Sequence, residues 1–432
     1  MIKILNNKFL RNVGIVATGT AGAQIINVLA SPIITRIYGP EAYGMLGLFN
    51  SILYVLLPAS ALAYPHAIVI SSSRIKELAL TYISLVVSTL LSTTLIFCLY
   101  FFYDFFNSTV VKDILIYLYL LPIAIIFYNL YQAIDNIYIK HGHFRSKAKA
   151  SLNHAFLTNA IRIIGGWFHG TPSVLIFTTA LNSFLHLLCL ARCNFSFLVS
   201  YKKEVKKIKC FHLINTARRF IDFPKYRALQ AFLNPLSQSL PLLLMASYFG
   251  VAVVGYYTLS RSLLVLPVSV IGNSVGNVFY SKANNMYKKK EKILPLLTNI
   301  TFALVLVCAP PFLIIFFYGI EIFSFIFGED WAVAGEFAKW IAIWQFFALI
   351  NRPCSMIFNT FRMLKFTFYI EVIGVILRVV VLYVTYQLSQ DSLITIINFC
   401  MVGVFINLYS IIVCFLKTIN YDNLLTLDKS IL

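Results

Sequence analysis

Ala30-Ser31-Pro32-Ile33-Ile34-Thr35-Arg36-Ile37-Tyr38-Gly39-Pro40-Glu41-Ala42-Tyr43-Gly44 decides how the rest of the chain is read. It closes one apolar run, turns through Tyr38-Gly39-Pro40 and opens a second apolar run. Pro40 suits the first turn of a new helix, where a missing N–H costs nothing. The second half repeats the pattern: Phe249-Gly250-Val251-Ala252-Val253-Val254-Gly255-Tyr256 keeps the Gly-four-residues-Gly spacing. Pro58 follows the first copy and Pro267 the second. Gly39 and Gly250 lie 211 positions apart in a chain of 432, so the chain reads as two copies of one unit. Internal repeats in membrane chains mark transporters.

Composition places those copies in a membrane. Hydrophobic residues make up 59% of the chain, charged residues 12%, and mean hydropathy is +0.81. A soluble domain has no use for that much apolar surface. Apolar segments of spanning length run near 11–35, 42–70, 78–101, 113–138, 151–167, 173–191, 223–248, 252–280, 293–317, 333–360, 366–387 and 392–416. The predicted fold class is an all-α polytopic membrane protein with twelve transmembrane helices in two pseudo-symmetric six-helix bundles. The predicted divisions are residues 1–191, a basic connection at 192–222, and residues 223–432.

The net charge of +19 would suggest nucleic acid in a soluble chain. Here the bases follow topology instead. The N-terminus, the even-numbered connections and the C-terminus hold 26 of the 35 Lys and Arg residues. The alternate loops hold Arg36 and Lys112 beside acids such as Glu41, Asp113, Glu329 and Asp330. The positive-inside rule then puts both termini in the cytoplasm. No nucleic-acid partner is expected. Residues 192–222 read as a basic, amphipathic segment on the anionic inner leaflet, with a solvated linker as the other reading. Gly19, Gly22 and Ala23, and Gly272 with Gly276, read as close helix contacts. Trp331, Trp340 and Trp344 read as interfacial belt residues.

Enzymatic and metal motifs are missing. No Gly precedes a Lys, which excludes a Walker A loop. The eight Cys have no paired spacing, and no metal or cofactor is expected. His141-Gly142-His143 has a ligand-like look but sits among bases. Charge inside apolar runs is the informative signal, because a midplane charge costs ~2.5–3.5 kcal/mol even on the lenient insertion scale. The substrate-binding candidates are Arg162, Arg261, Arg352 and Arg378. Glu371 is the ion-coupling candidate, seven residues before Arg378 on one helix face. Arg36, Asp135, Arg227 and Lys339 are secondary candidates. An interior richer in Arg than in acid implies an anionic ligand, since guanidinium forks bind phosphate bidentately.

The run from Ala23 to Ile70, including Pro32–Gly44 and Ala67-Ile68-Val69, resembles the opening of bacterial Wzx-type O-antigen and polysaccharide flippases. Phe327-Gly328-Glu329-Asp330-Trp331-Ala332-Val333-Ala334-Gly335 is similar to that family's FG..W..AG stretch. The resemblance implies membership of the multidrug/oligosaccharidyl-lipid/polysaccharide exporter superfamily, with a central cationic lumen and alternating access. It implies an undecaprenyl-pyrophosphate-linked oligosaccharide as cargo, moved across the bacterial inner membrane. Membrane lipids and polysaccharide assembly proteins are the further partners it implies. It also implies a lateral opening near the first and eighth helices. Alternatives are a drug/cation antiporter, whose lumen should be acidic or apolar, and a peptidoglycan-precursor flippase, which has two extra helices. An O-antigen polymerase or ligase is the enzyme alternative. Such enzymes carry large periplasmic loops, whereas the stretch 318–332 is short and has no Arg or His.

Overall fold

A computed structural model describes residues 2–109, 111–205, 208–224 and 228–430. Among them the chain is helical, with no strand. That follows from the apolar solvent: in hydrocarbon every backbone N–H and C=O must find a partner within the chain. The helices are α1 (Ile2–Leu56), α2 (Tyr64–Ala67), α3 (Arg74–Phe101), α4 (Tyr103–Asn107), α5 (Leu115–Leu118) and α6 (Leu121–Lys140). Then come α7 (Phe144–Phe168), α8 (Pro172–Ala180), α9 (Asn182–Cys193), α10 (Phe195–Ser200), α11 (Lys202–Val205) and α12 (Cys210–Arg219). The rest are α13 (Ala228–Phe249), α14 (Val251–Lys288), α15 (Leu294–Phe327), α16 (Ala332–Thr360), α17 (Leu364–Ser389) and α18 (Ser392–Ser430).

Six of these are long and apolar enough to cross a membrane alone, and two bent pairs, Lys112–Leu118 with α6 and α8 with α9, raise the number to eight. The chain is a multi-pass membrane protein. The count of twelve remains an expectation.

The opening turn forms as its residues require. α1 breaks at Gly39, with φ 67° and ψ 174°, and resumes at Pro40. Gly250, between α13 and α14, adopts φ 84° and ψ 175°. A side chain rarely takes this positive-φ region, and glycine takes it freely. Two copies of one turn therefore recur at the predicted offset.

The chain divides into two compact units, residues 1–247 and 248–432. In the first, α1 packs on α7 and α8, α3 on α6, and α9 on α6 and α7. The Tyr38 hydroxyl donates to the Arg162 carbonyl at 2.6 Å, tying the turn to α7. In the second, α16 is the hub, packed against α14, α15 and α18.

Each glycine face is used inside its own unit. A Cβ at Gly19 or Gly22 would strike Ala148 or Leu152 of α7. One at Gly272 would meet Arg352, and one at Gly276 would touch Met356, both on α16. The belt reading needs correction for two of its three residues. Trp331 is 1% exposed and Trp344 8%, because α16 sits at the centre of its unit.

The connection after α9 is a docked segment. Tyr201 is buried in a cluster with Tyr64, Ile68, Leu78, Leu80 and Ile137, and Phe197, Ile208 and Phe220 pack against it. α12 lies on α3. Its outer side still presents Phe211, Ile214, Arg218 and Arg219, as an amphipathic basic helix should.

Candidate functional site

In the first unit α7 carries Arg162 into the interior. Its Nε donates to Thr178 Oγ1 at 3.2 Å and its Nη2 to Thr179 Oγ1 at 3.0 Å. Both threonine hydroxyls donate their own protons to α8 carbonyls, at 2.8 Å to Val174 and Leu175 respectively. Their lone pairs are left to aim the guanidinium. Arginine has five N–H donors, so three of Arg162's have no acceptor among the described residues. No carboxylate pairs with it there. Its electrostatic neighbours are Tyr38, Tyr43 and Tyr54.

Thr179 also lines a cavity of about 150 Å³, together with Tyr54, Tyr128, Tyr131, Asn182, Ser183 and His186. The rings at one side are stacked: Tyr131 on His186, with centroids 4.4 Å apart, and His186 on His154, also at 4.4 Å. Asp135, a secondary candidate, forms an ion pair with Lys147 of α7 at 2.8 Å.

In the second unit the arginines sit on aromatic faces. The Arg378 guanidinium carbon stands 5.1 Å from the centre of the Trp344 ring and 5.9 Å from that of Phe399. Arg261 stands 6.0 Å from Tyr257. Arg378 lies within electrostatic reach of Arg261, which repels it, and of Glu371, which attracts it. The Arg378 Nε is buried without a hydrogen-bond partner. A desolvated cation over an aromatic face gains about 2 kcal/mol or more. That offsets part of the cost of holding two like charges together. Arg352 packs against Gly272, eleven residues beyond Arg261 on α14, or about 16 Å of helix rise. The structure thus brings Arg261 and Arg378 together and places Arg352 at another level.

Apart from Glu371, the other candidates fall elsewhere. Glu371 and Arg36 are exposed. The stem of Lys339 lies beside Gly319. Arg227 lies outside the described residues. His141 serves a different cluster, centred on Glu77.

Sequence reasoning missed that cluster. Glu77, in the first turn of α3, is 1% exposed. Its carboxylate takes Lys140 Nζ at 2.5 Å and accepts the Tyr201 hydroxyl at 2.6 Å, with His141 Nε2 at 3.3 Å. Lys140 also donates to the Ser71 carbonyl at 2.6 Å. Burial and the Glu77 carboxylate push the Tyr201 phenol well above its ordinary range, so it stays a proton donor. The available signal was an acid at the start of a helix among basic loops. Among the described residues no group of three or more His, Cys, Asp or Glu could hold a metal.

A family model described as polysaccharide biosynthesis protein matches residues 33–336. No curated protein matches the chain in sequence. Among solved structures, an inward-facing multidrug resistance MATE family transporter of the MOP superfamily superposes with a TM-score of 0.70 at 15% identity, covering 93% of this chain and 96% of that one. The inward closed conformation of lipid II flippase MurJ gives 0.65 at 16% identity, covering 95% and 91%. A MOP superfamily transporter from Pyrococcus furiosus Vc1 (DSM3638), described as having a binding pocket of reverse polarity, gives 0.59 at 14%, covering 96% and 95%. At these identities the likeness establishes a shared fold.

Proposed function

Because the chain belongs to the polysaccharide biosynthesis protein family, we propose that it is a flippase for undecaprenyl-pyrophosphate-linked oligosaccharide. The cargo, an O-antigen or capsule repeat unit, passes from the cytoplasmic to the periplasmic leaflet of the inner membrane by alternating access. The proposed architecture is two six-helix bundles, residues 1–191 and 223–432, joined at 192–222, with both termini in the cytoplasm.

The carrying observation is the buried arginine chemistry. Among the described residues Arg162 has three unengaged donors and no carboxylate partner, while Arg261 and Arg378 are held together on aromatic rings despite their repulsion. An anion relieves both situations: it fills empty donors in the first unit and screens like charges in the second. A pyrophosphate does this bidentately. A lumen for cationic drugs would call for the opposite sign. The polyprenyl tail stays in lipid, since removing it would cost ~0.8 kcal/mol per CH₂. Arg162, Arg261, Arg352 and Arg378 are the proposed headgroup ligands, and Glu371 the proposed coupling acid.

Reconstitution tests this reading. Purified chain in proteoliposomes should speed the exposure of an undecaprenyl-pyrophosphate-linked oligosaccharide to an external glycosidase. Lipid II and a cationic dye serve as comparison cargoes. Exposure no faster than in empty liposomes, or transport of the dye alone, would overturn it.

A further inference from the structure

The cavity beside Arg162 is rich in hydrogen-bonding capacity. Tyr54, Tyr128, Tyr131 and Ser183, each bearing a hydroxyl that can donate and accept, line it. The His186 ring lines it too, stacked on Tyr131 and His154. Tyr54 is 55% exposed and Tyr128, Tyr131, Ser183 and His186 are half-buried, so their polar groups are open to an incoming ligand. Four hydroxyls and an imidazole converging on one space point to a polar occupant.

Size and charge narrow the class. The cavity measures about 150 Å³. That is well below the ~300–1,000 Å³ of drug-sized sites, so the space suits one ring and no oligosaccharide. No carboxylate, Lys or Arg lines the cavity, so neither a cation nor an anion is called for inside it. Phenols can donate and accept, Ser183 can do both, and the stacked Tyr131 and His186 rings add apolar surface. This is the mixture a sugar ring needs: hydroxyls around its edge and C–H groups on its faces. The Arg162 guanidinium is one hydrogen bond away through Thr179, which both lines the cavity and accepts from it.

We propose that this cavity is a carbohydrate subsite that receives a single uncharged sugar ring while the adjoining phosphate engages Arg162. The proposal rests on the flippase reading above and adds to it the part of the headgroup that the first unit recognises.

The test uses full-length chain in nanodiscs and four probes: undecaprenyl pyrophosphate alone, and the same lipid bearing glucose, galactose or N-acetylglucosamine. Affinity is measured for the native chain, for Tyr128→Phe/Tyr131→Phe/Ser183→Ala, and for each single change should the triple variant unfold. At least one sugar-bearing probe should bind the native chain about tenfold more tightly than the bare lipid, the sum of two or so net hydrogen bonds. The triple variant should erase that preference and leave the bare-lipid affinity unchanged. Arg162→Lys should weaken all four probes alike. Equal binding of all four probes to the native chain would overturn the subsite and leave the flippase reading standing. So would a sugar preference that survives the triple change. Binding of none would overturn the flippase reading, and the subsite with it.

Discussion

Arg378 lies over the Trp344 ring at 5.1 Å, with its Nε buried and unpartnered. The indole supports the charge from one side, and Glu371 lies within electrostatic reach of it. Substitution should therefore separate charge from geometry. Arg378→Ala should abolish surface polysaccharide in a complementation assay while membrane abundance stays near normal. Arg378→Lys should rescue poorly, because a point charge lacks the planar fork. Normal export by Arg378→Ala at normal abundance would remove this residue from the cargo path.

Gly39 and Gly250 offer a cleaner comparison. Both have positive φ, and a Cβ at either would meet nothing within 4 Å. Alanine there should cost only backbone strain, about 1–3 kcal/mol, and the two variants should behave alike. Gly335 differs: a Cβ there would run into the Gly319 carbonyl oxygen and reach within 2.7 Å of Ile320 Cα. α15 and α16 touch through backbone at that point, so neither can yield cheaply. Gly335→Ala should lower the thermal unfolding midpoint in detergent more than Gly39→Ala does. Overpacking alone costs about 1–3 kcal/mol. Equal midpoints would contradict the backbone contact.

Much of this was readable from local pattern. The turn at Gly39 and its copy at Gly250 follow from residue type and spacing, and the interior arginines follow from hydropathy. Burial and partnership were not readable. Tyr201 is 124 residues from the Glu77 it binds, and no periodicity connects them. Trp344 reads as interfacial in the sequence, yet α16 is surrounded by three neighbours. The cavity beside Arg162 draws on α1, α6, α8 and α9, and its hydroxyls converge only once those helices meet.

Asp422 supplies a long-range cap. It is 6% exposed, and its two carboxylate oxygens accept the Ile293 and Leu294 backbone N–H groups at 2.9 and 3.0 Å. These are at the start of α15, where intrahelical acceptors are lacking. Asp422→Ala should leave both donors unsatisfied at about 1–3 kcal/mol each. Asp422→Asn keeps one good acceptor and should fall between. Thermal unfolding of the three proteins should rank native, Asn, Ala; an Ala variant as stable as the native chain would show that water serves these donors instead.

Glu77 should be the most sensitive acid in the first unit. Its carboxylate gathers Lys140 from α6 and Tyr201 from the segment between α10 and α11. The Arg74 guanidinium stands 5.0 Å above the Tyr201 ring. Removing one partner from a buried charged pair typically costs about 3–5 kcal/mol, because the other charge is stranded. Glu77→Ala should accordingly reduce membrane abundance several-fold. Tyr201→Phe removes one hydrogen bond to a charged acceptor, about 1.5–3 kcal/mol, and should loosen the docked segment more than the helices. Trypsin should then cut at Lys202 and Lys203 faster than in the native chain, while sites on α14 are unaffected. In a double-mutant cycle, Glu77→Ala with Lys140→Ala should cost less than the two single changes added together, since no charge is left behind. Strict additivity of the pair, or unchanged trypsin cleavage in Tyr201→Phe, would show that the carboxylate does not fasten this segment to α3.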